Sequence, residues 1–401
     1  MITAVADYNG TTSTHYNLSG NVSSNWSDYY YYYYDDDDRF STTTAAAVAL
    51  AIVRYALPVI VAFGTAGNAL SALVLVRRRL RGGSVDIYRV TLAVADTTVL
   101  YVSAFKTWVR VLTGVEWLHA SDSACRCLTF VLLVALHLSA WLIVLLAVDR
   151  FAAVWFPFRA ASLCTVRGAC VAAACLVAVV ILGNAHAFWT FRLSQDDEWG
   201  APPRCVPAPD DWFMNVAFNY VKFSTYSFLP FVVVTVLNVL IVYRIVRLRR
   251  LLLARRLGRL RAPSDPPLAA GRLRTLKPPL SVQQVRATSM LVVLALLWLV
   301  LATPFTLVSV LAVNGVRPRS DSVHLLIKTF AFVLMYVNHS VNVVVYCAME
   351  RRFRGAARRT VCCYGAGGDR PCDCCRTRSV VRSRSSSAVK MSHCDDLLSG
   401  V

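Results

Sequence analysis

Residues Leu128–Pro157 read LTFVLLVALHLSAWLIVLLAVDRFAAVWFP, an apolar run that closes on an acid and a base. A helix needs about 20 apolar residues to cross a bilayer, and the run supplies them before its first acid, Asp149. Asp149-Arg150-Phe151 then falls where hydrocarbon gives way to the aqueous edge. Charge at that depth is costly, so it either serves a function or marks the stop of a span. The rest of the chain decides between these readings.

Composition narrows the class. The chain has 401 residues, 56% of them hydrophobic and only 16% charged, with a mean hydropathy of +0.50. A water-soluble domain of that length would leave much of this apolar surface uncovered, so the composition implies a polytopic membrane protein. The net charge of +19 does not point to a nucleic-acid partner, because the basic residues sit in short clusters between apolar runs. None of the 13 cysteines precedes Cys125, and Cys362, Cys363, Cys372, Cys374, Cys375 and Cys394 crowd the C-terminal tail. That is not the evenly spaced framework of a small secreted domain.

Seven apolar stretches are expected, at roughly 46–76, 85–109, 125–154, 166–190, 215–246, 286–313 and 323–347. Arg77, Arg78, Arg79 and Arg81 follow the first, Arg247 through Arg286 enclose a basic fifth-to-sixth connection, and Arg351, Arg352, Arg354, Arg358 and Arg359 follow the last. The alternate connections carry few basic residues. The positive-inside rule therefore puts the N-terminus outside and the C-terminus inside, an arrangement that requires an odd number of spans. The expected fold is an all-α, seven-transmembrane bundle over 46–347, preceded by an extracellular arm (1–45). A membrane-surface helix (348–361) and a cytoplasmic tail (362–401) follow it. In the fifth-to-sixth connection the fifth helix should run on until Pro263, Pro266 and Pro267 break it.

The arm is polar and shows no signal peptide, so the first span must direct insertion. It carries N-x-[ST] sequons at Asn9, Asn17, Asn21 and Asn25, which read as glycan sites on an outer segment. Asp28 is followed by Tyr29, Tyr30, Tyr31, Tyr32, Tyr33 and Tyr34, then by Asp35, Asp36, Asp37 and Asp38. Tyrosines embedded in acid suit sulfation, and such an arm would steer a basic protein ligand; the alternative is a tract that merely stays solvated. At the other end, Cys362 and Cys363 follow the expected surface helix and are palmitoylation candidates, with a zinc cluster as the rival reading. The serine-rich stretch near the C-terminus is a phosphorylation candidate.

Several spans carry recognisable motifs. They are Gly67-Asn68 in span 1, Leu92-Ala93-Val94-Ala95-Asp96 in span 2, Asp149-Arg150-Phe151 in span 3, Pro230 in span 5, Pro304-Phe305 in span 6, and Asn342 with Tyr346 in span 7. In this order and separation they resemble the rhodopsin-like (class A) G-protein-coupled receptors. The resemblance implies coupling to a heterotrimeric G protein through Asp149, Arg150, Phe151 and Tyr346. It also implies a disulfide from Cys125 to Cys205, with Cys127 as a nearby competitor. In the family, the aspartate matching Asp96 binds a sodium ion, and Asn68, Ser139, Asn338 and Asn342 fall at the matching places. A water-mediated polar network is the alternative, and no other cofactor is implied.

Departures from the pattern matter as well. The span 6 tryptophan is Ala302, the span 5 tyrosine is Asn238, the span 4 tryptophan is missing, and span 7 reads Asn342-Val343-Val344-Val345-Tyr346 without its proline. These positions hold or switch the two states in relatives, so a weakly held resting state with ligand-independent signalling is expected.

The arm, Trp117 and His339 resemble chemokine receptors and their herpesvirus-encoded homologues, which implies a plasma-membrane receptor, in a host cell if the chain is virus-encoded. The second outer disulfide of that branch cannot form, and Phe332 stands where it often has an acid. Lys106, Arg110, Lys222 and Lys328 instead suggest an anionic ligand such as a lipid phosphate or carboxylate, or else they snorkel to the interface. A chemokine-like protein ligand is therefore expected, with a binding-only scavenger or a lipid receptor as alternatives. Arrestin and kinases are expected at the tail and membrane lipids around the bundle. No metal motif, positioned nucleophile or inverted repeat stands out, so neither an enzyme nor a transporter is expected.

Overall fold

The computed structural model describes residues 43–78, 83–194, 204–207, 218–261, 282–313, 316, 318 and 320–365. The glycan sequons, the Tyr29–Asp38 tract and the tail beyond residue 365 lie outside the described residues.

Helix α1 (Thr44–Arg78) forms the first span. The second is composite: α2 (Ser84–Val99), a π-helical turn (Leu100–Phe105) and α3 (Lys106–Thr113), which stops where Gly114 takes a left-handed φ of 70°. The third, α4 (Asp122–Trp155), starts where Ser121 Oγ caps the amide of Ala124 and ends just before Pro157, whose ring disfavours helical geometry in the residue ahead of it. A short α5 (Pro157–Leu163) leads to the fourth span, α6 (Val166–Asn184), capped by Thr165 and followed by α7 (Ala187–Thr190). Strands β1 (Phe191–Ser194) and β2 (Arg204–Pro207) pair antiparallel, with Leu193 opposite Cys205.

The fifth span is α8 (Phe218–Phe223), a π-turn (Ser224–Phe228) and α9 (Leu229–Arg261). The widened turn lies immediately ahead of Pro230, which has no amide hydrogen for the helical ladder. α9 extends to Arg261, two residues short of Pro263. The sixth span is α10 (Val282–Val313), with Pro304 inside it. The seventh is broken: α11 (Asp321–Asn338) and α12 (Asn342–Met349) meet at 45°.

Among the described residues, five helices are long and apolar enough to cross a membrane unaided, and the bent α11–α12 pair makes a sixth. The seventh crossing, α2 to α3, includes Asp86, Arg89, Asp96, Lys106 and Arg110, and every one of these has a polar partner inside the protein. Its charge is thus spent on neighbours. α4 lies at the centre, against α2, α6 and α9, with Leu142, Ala140 and Leu146 almost wholly enclosed.

Span 7 bends without proline because other groups replace its helical ladder. Asn68 Nδ2 on α1 donates to the His339 carbonyl at 3.1 Å, and Ser340 Oγ turns back to the Val337 carbonyl at 2.9 Å. The bend presses onto α1 at two glycines. A Cβ on Gly64 would come within 2.8 Å of Ser340 Cβ, and one on Gly67 within 2.5 Å of Val343 Cγ1.

After α12 the chain turns at Glu350 into α13 (Arg351–Gly365). One face of α13 buries Phe353, Ala357 and Thr360 while Arg351, Arg358 and Arg359 are exposed, as for a helix lying on a membrane surface. Arg354 donates to the carbonyls of Cys347 and Ala348, which the end of α12 leaves without helical partners.

Candidate functional site

At the outer end, a Cys125–Cys205 disulfide fastens β2 to the start of α4. Leu193 N donates to Asp122 Oδ1 at 2.9 Å and Arg126 Nη1 to the Phe188 carbonyl at 2.9 Å, so the hairpin is pinned over span 3. Cys127 is exposed and free.

Two of the outer basic residues, Lys106 and Arg110, share one acid. Lys106 Nζ pairs with Glu116 Oε1 at 3.0 Å, and Arg110 Nη1 with Glu116 Oε2 at 3.2 Å. Glu116 also accepts from the Leu118 amide at 3.2 Å. Burial alone would raise the Glu116 carboxyl, but Lys106, the Leu118 amide and Arg110 outweigh it and hold the group below its ordinary value. Trp117 sits on a single 3₁₀ turn (Trp117–His119), 6.0 Å from the Phe105 ring and 40% exposed. Lys328 is buried on α11. Lys222 lies on α8, and its side chain is outside the described residues.

Beneath the outer end, an aromatic series crosses the bundle: His137 and Tyr226 at 5.7 Å, Tyr226 and Phe305 at 6.4 Å, Phe305 and Phe332 at 5.1 Å, and Phe332 and Tyr336 at 6.1 Å. It joins spans 3, 5, 6 and 7 at a depth where Ala302 supplies no ring.

At mid-depth Asp96 is 1% exposed and fully engaged. Ser139 Oγ donates to Oδ1 at 2.8 Å, His339 Nδ1 lies 2.7 Å from the same oxygen, and Asn342 Nδ2 donates to Oδ2 at 2.7 Å. Asn68 turns its amide to the His339 carbonyl, and Asn338, the residue before His339, is buried. A hard cation wants a shell of oxygens. Two of the three groups on this carboxylate are nitrogens, and the imidazole stands against the oxygen that an ion would need. The described residues therefore do not fit a sodium ion. His339 Nε2 is buried with no hydrogen-bond partner among the described residues.

At the inner end, Asp149 Oδ2 accepts from Arg150 Nε at 3.1 Å and from Arg150 Nη2, while Oδ1 accepts from Ser84 Oγ at 2.5 Å. The Phe151 ring stacks on Trp155 at 5.7 Å. Trp155 in turn donates to the Leu240 carbonyl and lies beneath the Arg244 guanidinium, which joins α4 to α9. Arg150 shares the lining of a void no larger than a water molecule with Asn238, Thr288 and Leu291, so it faces spans 5 and 6. Tyr346 is buried against Phe353 at 5.6 Å and under the Arg89 guanidinium at 4.7 Å.

Sequence reasoning missed Ser84, Arg89, Glu116 and Glu350. For Arg89 a signal existed: it lies two helical turns from Asp96 and one from Asp86, so three charges share one face of a span.

Residues 67–346 match the family described as 7 transmembrane receptor (rhodopsin family). The chain is 25% identical to an allatostatin-A receptor of Bombyx mori over 323 residues, covering 78% of this chain and 81% of that receptor. It is 30% identical to human cysteinyl leukotriene receptor 2 over 111 residues, 28% of this chain and 32% of that one. It is 24% identical to a CX3C chemokine receptor 1 of Bos taurus over 172 residues, 43% of this chain and 46% of that one.

Proposed function

The chain belongs to the rhodopsin family of seven-transmembrane receptors, and from that premise we propose that it is a plasma-membrane receptor for a chemokine-like basic protein, captured by the acidic arm and reported to a G protein through Arg150. Membership makes it a multi-pass, G-protein-coupled receptor and not an enzyme. One observation carries the coupling reading: Arg150 is held at the inner end of the central span by Asp149, on the side that faces spans 5 and 6.

The ligand reading rests on charge. Tyr29–Asp38 supplies a dense anionic segment on the outer side, which speeds the encounter with a cationic partner. Meanwhile Lys106 and Arg110 share the single carboxylate of Glu116, so two of the cations that would suit an anionic lipid are already paired. A relative named for a chemokine is in keeping with this reading. The arm is extracellular and glycosylated, the tail meets kinases and arrestin, and palmitate on Cys362 and Cys363 holds α13 to the membrane. With Ala302 in span 6 and no proline in span 7, the receptor also carries a basal signal.

A binding screen of chemokines against cells expressing the intact chain and one lacking residues 1–40 tests the ligand. Capture by the intact chain and loss in the truncated one is expected. Equal binding by both removes the arm from the mechanism, and binding by neither transfers the site to an anionic lipid. Arg150→Ala separates signalling from scavenging: second-messenger output should vanish while uptake of bound ligand persists.

A further inference from the structure

Arg89 carries a full charge on an inner segment of span 2 and is only 4% exposed. Its Nη1 bonds Asp86 Oδ1 at 3.3 Å on its own helix and Glu350 Oε2 at 3.0 Å in the joint between α12 and α13. Nη2 lies 3.3 Å from the sulfur of Met290, a buried residue of α10, and the guanidinium stands 4.7 Å over the Tyr346 ring of α12. One side chain on span 2 thus touches spans 6 and 7 and the root of the surface helix.

We propose that Arg89 is a clamp that holds the inner ends of spans 6 and 7 shut against span 2. The guanidinium cannot shed its proton, so in a low-dielectric setting it must keep its acceptors. If span 6 moves outward Arg89 loses Met290, and if span 7 moves it loses Glu350 and the Tyr346 face; with both gone, it keeps Asp86 on its own helix. Asp149 and Arg150 cannot supply this restraint, because both sit on α4 and their pairing joins no second helix. The clamp takes up the restraint that Ala302 and the missing span 7 proline do not provide. Its signalling consequence rests on the G-protein reading above; its mechanical consequence does not.

The test uses the full chain bearing noncanonical amino-acid dyes at Gln283 on α10 and Arg159 on α5, purified without ligand or G protein. Arg89→Leu, Glu350→Gln and the double variant are compared with the parent, both for dye separation and for basal second messenger at matched surface expression. Expected are a longer, broader separation in each variant, a basal signal raised at least about fivefold, and a double variant no stronger than Arg89→Leu alone. Glu350→Gln, the milder change at a partly exposed position, decides the matter if Arg89→Leu fails to reach the surface. Unchanged separation in the variants that reach the surface overturns the clamp. A changed separation with a flat signal upholds the clamp and overturns the G-protein reading instead.

Discussion

Ser84 Oγ donates to Asp149 Oδ1 across 2.5 Å, and both side chains are buried. The opposite oxygen of the same carboxylate holds Arg150. Asp149 therefore serves two helices with two oxygens, and the tie between spans 2 and 3 at the inner end runs through a serine hydroxyl.

Replacing that serine should loosen Arg150 without touching it. A hydrogen bond to a charged group contributes about 1.5–3 kcal/mol. Ser84→Ala is expected to raise basal second-messenger output severalfold at equal surface expression, while Ser84→Thr, which keeps the hydroxyl, stays near the parent. Equal output from all three chains would show that the bond carries no restraint.

The ring of donors on Asp96 predicts indifference to sodium. Melting of the purified receptor should be the same in sodium and potassium chloride at equal ionic strength. His339→Ser exchanges the imidazole for a small oxygen ligand, and sodium should then raise the melting temperature over potassium. Selective stabilisation of the parent chain by sodium would contradict the geometry described at this site.

The contact between α1 and the bend of span 7 tolerates no added volume. A side chain at Gly64 meets Leu100 Cδ1 at 2.5 Å and Ser340 at 2.8 Å, and the latter is held in the bend. Overpacking of this kind costs about 1–3 kcal/mol. Gly64→Val is expected to lower the melting temperature and surface expression, whereas Gly183→Val, with open space around the added carbon, should change neither.

The outer cluster predicts an acid-sensitive limb. The Glu116 carboxyl is held below its ordinary value of 4.5, so its ion pairs contribute their full stability above that pH. That contribution is lost as pH falls from about 4.5 through the lowered folded value. Glu116→Gln should be less stable than the parent at neutral pH, and the difference should shrink in acid. A difference that does not narrow on acidification would mean that Lys106 and Arg110 gain nothing from the charge.

The spans were legible because a bilayer imposes length and apolarity directly on the sequence, and Asp149-Arg150 and Asp96 were legible as charges placed where charge is costly. Arg89 was not, because Glu350 lies 261 residues away and reads locally as the start of an amphipathic helix. Lys106 and Arg110 read as facing a ligand or snorkelling to the interface, because their partner lies beyond the reversal at Gly114; the helical period that relates neighbours on one face does not survive a left-handed turn. His339 stood out beside Asn342, yet only the folded chain brings its ring to Asp96 rather than to solvent. The bend in span 7 had no proline to announce it, and one of the groups that hold it, Asn68, sits on another helix.

A proline would bend span 7 by its own ring, in any surroundings. Here the crook is held by an amide contributed 271 residues earlier in the chain together with a serine of its own, so the shape of the last span is shared with the first, and a change on either helix can straighten it.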